Sequence, residues 1–184
     1  MAPVHEAARR NDVEELRRLL DEEPGLLEAE NDDWPPERPL HIACSEGSIE
    51  AACYLLDRGA AIDSISRYSV TPLMQACMMG RAGVVRLLLS RGADPTLRGQ
   101  SSWTALMRAS DGAGHPGSDH AAVIQRLLED GRVPVDARDS GRRTALWLAC
   151  FRGDTERVRV LLLEGRADHT IADDEGVTPM ARAR

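Results

Sequence analysis

The chain contains no lysine: all 23 basic residues among its 184 are arginine. That absence excludes a Schiff-base amine and a P-loop lysine. Aromatic residues are scarce, at 3%, so the interior must be built from Leu, Val, Ile and Ala. Thin layers of close-packed helices suit such an interior. A β-sandwich favours aromatic and β-branched residues instead. Cysteine is too sparse for a disulfide framework, with four in the whole chain. No apolar run approaches the roughly 18 residues needed to cross a bilayer. The opening "MAPVHEAARRND" has no apolar signal core. An intracellular location, cytoplasmic or nuclear, is therefore expected, with no membrane partner. An excess of positive charge is missing too. The net charge is −7, which lacks the basic footprint of general nucleic-acid binding. No nucleic-acid partner is expected.

A period is present. "RPLHIACSEGSIEAACYLLDRGAAID" begins at Arg38, "TPLMQACMMGRAGVVRLLLSRGADPT" at Thr71 and "TALMRASDGAG" at Thr104. "TALWLACFRGDTERVRVLLLEGRADHT" follows at Thr144, and "TPMARAR" at Thr178. An earlier copy, "VHEAARRNDVEELRRLL", places Val4 where the others carry leucine. Within each unit a short run of small and apolar residues leads to a polar turn at Gly47, Gly80 or Gly153. A second apolar run ends at Gly59, Gly92, Gly131 or Gly165. Glycine past a helix end adopts positive φ without strain. Pro39, Pro72 and Pro179 stand where a helix begins, where the missing N–H is harmless. Each unit reads as helix, turn, helix, loop.

The 33-residue spacing, "PLHIA" at Pro39–Ala43 and "RGADPT" at Arg91–Thr96 resemble the ankyrin repeat family. The resemblance implies an all-α helical solenoid with inter-repeat β-turn loops. A single array over 1–184 is expected, with repeats at 1–33, 34–66, 67–99, 100–139 (carrying an insertion at 111–119) and 140–173. A partial repeat, 174–184, completes it. Arg38 departs from the opening threonine. Units four and five lack the proline and histidine, which puts their local turn bonds in question. The resemblance assigns His41 and His5 a structural bond to neighbouring backbone.

"GAGHPG", Gly112–Gly117, matches the letters of a phosphate-binding glycine loop. Such a loop must follow a β-strand, and here helices are expected on both sides. Asp111, His115, Asp119 and His120 form a candidate metal cluster, but a glycine-rich loop must first be ordered, at roughly 1–2 kcal/mol per residue. Cys44, Cys77 and Cys150 occupy one position in three repeats and read as small buried residues; Cys53 falls off the apolar positions. Asp63, Asp94, Asp136 and Asp168 recur at equivalent turns, as turn chemistry requires. No catalytic constellation recurs, and no enzyme activity, metal or cofactor is expected.

The resemblance implies a non-catalytic interaction scaffold, a monomer that binds another protein on its concave face. Partners would meet the turn tips and first-helix ends. Carried onto this chain, the tips are Trp34, Arg67, Tyr68, Gln100, Trp103 and Arg143. The helix ends are Ser45, Glu46, Met78, Met79, Phe151 and Arg152. Aromatic and arginine side chains dominate interface energetics, and methionine surfaces adapt to partners. Two rival readings are a regulatory segment of a larger protein cut at 184, and a metal-dependent activity at the insertion in the fourth repeat.

Overall fold

Threonine opens four of the helices. Thr71, Thr104, Thr144 and Thr178 each accept a hydrogen bond from the backbone N–H three residues on, at 3.2–3.3 Å. Each such cap stabilises a helix by about 1 kcal/mol. Asp12, Asp119 and Asp154 do the same at 2.9–3.1 Å for three partner helices. In the computed structural model, which describes residues 3–32, 36–66, 68–114 and 117–183, the elements are all helical.

Eleven α-helices are seen among the described residues. They are α1 (Pro3–Arg9), α2 (Val13–Glu22), α3 (Pro39–Glu46), α4 (Ile49–Asp57), α5 (Pro72–Met78) and α6 (Ala82–Ser90). After them come α7 (Ala105–Asp111), α8 (His120–Asp130), α9 (Ala145–Arg152), α10 (Thr155–Leu163) and α11 (Pro179–Arg182). Odd-numbered helices pack on odd-numbered neighbours from α1 to α11, and α2, α4, α6, α8 and α10 form a parallel row. The result is the expected all-α solenoid, two helices deep. The core lies between the rows: Leu16, Leu40, Leu55, Leu73, Leu88, Leu106, Leu127, Leu146 and Leu161 are buried. Burying each contributes about 1.5–3 kcal/mol. A lone pair of helices could not bury its apolar faces, so each unit depends on its neighbours.

The loops between units close as tight turns. Ser66, Gly99, Asp139 and Asp173 each donate N–H to the carbonyl four residues on, at Val70, Trp103, Arg143 and Val177. Successive turns also join directly: Ser140 N–H donates to Ser101 O at 3.0 Å, and Asp174 N–H to Gly141 O at 3.2 Å. The aspartates at the units' second loops act across repeats as well as within them. Asp94 N–H donates to Asp63 Oδ1 at 3.1 Å, and Asp168 N–H to Asp136 Oδ1 at 2.9 Å.

Gly165 departs from the expected role. The positive φ there belongs to Arg166, at 50°. A Cβ on Gly165 would stand 2.8 Å from Leu161 O and 3.2 Å from Leu128. That glycine is needed for close approach.

His41 is buried, and its Nε2–H donates to Val70 O at 3.0 Å. His5 Nε2 meets Ala29 O at 2.9 Å in the same way. In the fifth unit Trp147 stands at this position, and its indole N–H donates to Val177 O at 3.1 Å. A tryptophan thus takes over the histidine's bond to the next turn, and the turn expected to be in doubt is closed. Met74 and Met107 occupy the position in units three and four, where they are buried.

Two outcomes are expected. Burial lowers the His41 pKa below the usual histidine value. The unfolded chain then takes up the proton near pH 6.5 while the folded chain resists it. Stability should be full above about pH 7 and fall as the pH drops through about 6.5. Urea denaturation at pH 7.5 and 5.5 measures this, and His41→Gln should flatten part of the slope. Trp147→Phe should cost about 1 kcal/mol through loss of one hydrogen bond, read as faster amide exchange in the 173–177 turn.

Candidate functional site

Met78 and Met79, half-buried at the end of α5, share a groove of about 240 Å³ with Trp103, Arg108, Asp111, Gly112, Ala113 and Arg152. Four of the residues expected to contact a partner therefore meet there. Arg152 Nε and Nη2 donate to the two carboxylate oxygens of Asp111 at 2.8 and 3.0 Å. That bidentate geometry fixes both side chains.

A second groove shares Trp103 and Arg108 with the first and adds Gln100, Ser101 and Arg143. Trp103 was expected at an exposed tip. It is half-buried and packs against the core, because its turn closes through Gly99 N–H to Trp103 O at 2.8 Å. Arg143 is likewise pinned. The buried Asp139 accepts from Arg143 Nε at 2.9 Å and Nη2 at 2.7 Å, and from the N–H groups of Gly141 and Arg143.

Arginines and rings then alternate along this face. Arg108 lies 4.9 Å from the Trp103 ring centre, and Arg143 sits between Trp103 at 6.0 Å and Trp147 at 5.7 Å. Arg182 covers Trp147 at 5.1 Å and Phe151 at 4.8 Å. Trp147 and Phe151 stack 5.6 Å apart. Each cation–π pair contributes about 0.5–1 kcal/mol at an exposed site. Arg108, Trp147 and Arg182 were not among the expected contact residues. The equivalence of Arg182 to Arg108, each four residues after its capping threonine, is the signal that the period offered.

The other expected residues are less concentrated: Gln100 lies in the second groove and Phe151 in the ring stack, whereas Tyr68, Ser45 and Glu46 lie apart from both grooves. Tyr68 is 38% exposed and Gln100 is exposed, while Phe151 is 50% exposed despite its stacking. Glu46 pairs with Arg9 at 2.8 Å, and the Ser45 carbonyl accepts from Arg81 Nε at 2.9 Å. Ser45 and Glu46 lie outside the two grooves just described. Trp34 and Arg67 fall outside the described residues.

The glycine stretch lies between α7 and α8. His115 lies outside the described residues. Asp111 is held by Arg152, and Asp119 caps α8. His120 Nε2 meets Met78 O at 3.0 Å. Among the described residues no three metal-binding side chains converge. Gly112 has a packing role. A Cβ there would overlap the His120 ring and stand 2.7 Å from Met78 O. The end of α7, which lacks a left-handed cap, is covered by the next unit. Arg157 Nη1 donates to Ser110 O at 3.1 Å and Gly112 O at 2.8 Å, buried between the rows.

All four cysteines are free thiols. Burial pushes the Cys44 and Cys77 thiols up and leaves them inert. Cys53, half-buried on α4, accepts from Arg91 Nη2 at 3.0 Å.

The family described as "Ankyrin repeats (3 copies)" matches residues 4–99 and 40–131, and "Ankyrin repeat" matches 142–174. The chain is similar to Palmitoyltransferase AKR1 of Kluyveromyces lactis, 32% identical over 94% of this chain and 22% of that protein. It is similar to human Ankyrin repeat and SOCS box protein 16, 36% identical over 97% of this chain and 39% of that protein. It also resembles Ankyrin repeat and KH domain-containing protein mask-1 of Caenorhabditis elegans, 32% identical over 78% of this chain and 5% of that protein. The chain thus spans well under half the length of each of these relatives. No helix among the described residues is long and apolar enough to cross a membrane.

Gly112→Ala should destabilise the fold by about 1–3 kcal/mol, the usual cost of forcing atoms into a filled site. Gly114→Ala, at a position where a Cβ meets nothing within 4 Å, should be near neutral. Urea midpoints of the two variants test the contrast.

Proposed function

Because the chain belongs to the ankyrin repeat family, we propose that it is a non-catalytic scaffold presenting its concave face to a protein partner. Proteins of this family are built for protein–protein interaction. The observation that carries the reading for this chain is the shared groove of Met78, Met79, Trp103 and Arg152. Methionine supplies an adaptable apolar floor. Trp103 and Arg152 are held by packing and by Asp111 before any partner arrives. Preorganised side chains lose little entropy on association, so more of the contact energy appears as affinity. The protein acts as a monomer, inside the cell, without nucleic acid.

A second reading is supported by the coverage of the relatives. Proteins whose names carry a transferase, a SOCS box or a KH domain are much longer than this chain. On that reading the array is the regulatory, partner-selecting segment of a larger protein.

The groove reading is tested with immobilised protein and extract of its source cells. A partner captured by the wild type should bind at least tenfold more weakly to the Met79→Ala, Arg152→Ala double variant, a loss of about 1.4 kcal/mol. Thermal midpoints of the two proteins should agree within about 4 °C. Undiminished capture by the double variant would sink the reading.

A further inference from the structure

The arginines on the contact face differ in how they are neutralised. Arg143 is clamped by Asp139 and Arg152 by Asp111. Arg108 and Arg182 make no ion pair among the described residues, although Asp111 shares the groove of Arg108 and Asp173, Asp174 and Glu175 share that of Arg182. Each of the two lies over an aromatic ring. Arg108 Nε is buried and makes no hydrogen bond. A guanidinium stacked on a ring by its face keeps its edge N–H groups for a planar acceptor. A carboxylate matches that edge with two parallel hydrogen bonds.

The charge along the chain is divided in the same sense. Residues 1–66 carry 16 carboxylates and 6 arginines, whereas residues 67–184 carry 14 and 17. The −7 of the whole chain is thus −10 in the first part and +3 in the second. The unpaired arginines lie in the second part. Within the second part the positive excess lies in residues 67–166, with 15 arginines and 10 carboxylates, while residues 167–184 carry two arginines and four carboxylates. An approaching acidic chain is repelled from the first part and drawn to the middle units around Arg108 and Arg143.

We propose that the Arg108–Trp103–Arg143–Trp147–Arg182 face takes an extended, acidic segment of a partner protein. Its carboxylates dock edge-on to Arg108 and Arg182, and its apolar residues lie over the rings and the Met78–Met79 floor. The proposal rests on the scaffold reading and adds the chemistry of the partner. Nucleic acid carries the same sign of charge, and the apolar Met78–Met79 floor favours a peptide with apolar side chains over it. A DNA strand is therefore one arm of the test.

The probes are three fluorescein-labelled twelve-residue peptides, (Glu-Gly-Leu)4, (Gln-Gly-Leu)4 and (Lys-Gly-Leu)4, and a twelve-nucleotide single strand of DNA. Fluorescence anisotropy with the intact protein should show the Glu peptide binding at least tenfold more tightly than the Gln peptide. Its affinity should fall at least fivefold between 50 and 300 mM salt, and the Lys peptide should not bind. Arg108→Gln with Arg182→Gln should lower the affinity tenfold or more. Arg126→Gln, on exposed α8, should leave it unchanged, and circular dichroism should show all variants folded. Equal binding of Glu and Gln peptides, no binding of the Glu peptide, or an unaffected double variant would overturn the proposal. So would tighter binding of the DNA. Sedimentation of the protein alone provides a further check: salt-sensitive self-association lost in the double variant would make a second copy the occupant, and would overturn it too. A partner captured from extract that depends on Met79 and Arg152 but not on Arg108 and Arg182 would leave the scaffold standing and remove only the acidic segment.

Discussion

Carbonyls at the ends of α1, α3, α5 and α7 find their hydrogen-bond partners in the next unit, and the array depends on that supply. A helix leaves its last four carbonyls unsatisfied. Here a side chain from the next unit reaches back to them. Ser48 donates to Arg9 O, Arg81 to Ser45 O, and Arg157 to the carbonyls of Ser110 and Gly112, while His120 meets Met78 O. Chemically different side chains carry out one task. A unit that ends without its successor keeps exposed carbonyls as well as an exposed apolar face. Stacking therefore satisfies polar and apolar demands together, which is why the coupling between units dominates the stability of such arrays.

The contact face is built on the same economy. The turn that Trp147 closes is also the turn beside Arg182, and the aspartate that clamps Arg143 also holds the turn backbone. Residues that shape the turns are the residues that present rings and guanidinium groups outward. The face is thus stiff where it is polar. Adaptability is confined to Met78, Met79 and the exposed arginine ends.

Much of the fold was legible in the chain because its signals are local. Thr-Pro openings, glycine turns and the 33-residue step all follow from caps and backbone conformation within one unit. Buried Cys44, Cys77 and Cys150 followed from their shared position. Groups that act between units were harder to read. Arg157 and Trp147 have their partners 30 or more residues away. Their residue types also differ from those at the same position in sister units. A rule that expects histidine overlooks an indole with the same N–H. Ser48 and Arg81 stand at the N-caps of α4 and α6, where the fourth unit has Asp119, so the role that His120 shares with them falls one residue later and escapes the period. Met78, Met79, Trp103 and Arg152 could be placed together because helix ends and turn tips are set by the period. The stacking of Arg108 and Arg182 depends on rotamers, which the period does not encode.

The glycine stretch between α7 and α8 departs most from the repeat, yet it is fastened to the unit before it. Asp119 N–H donates to Gly80 O at 2.9 Å, His120 Nε2 meets Met78 O, and Gly112 fits where no side chain would. An extra loop so tied at both its ends lengthens the fourth unit without costing it its seat on the third, so the stacking of the array runs through the irregular repeat unbroken.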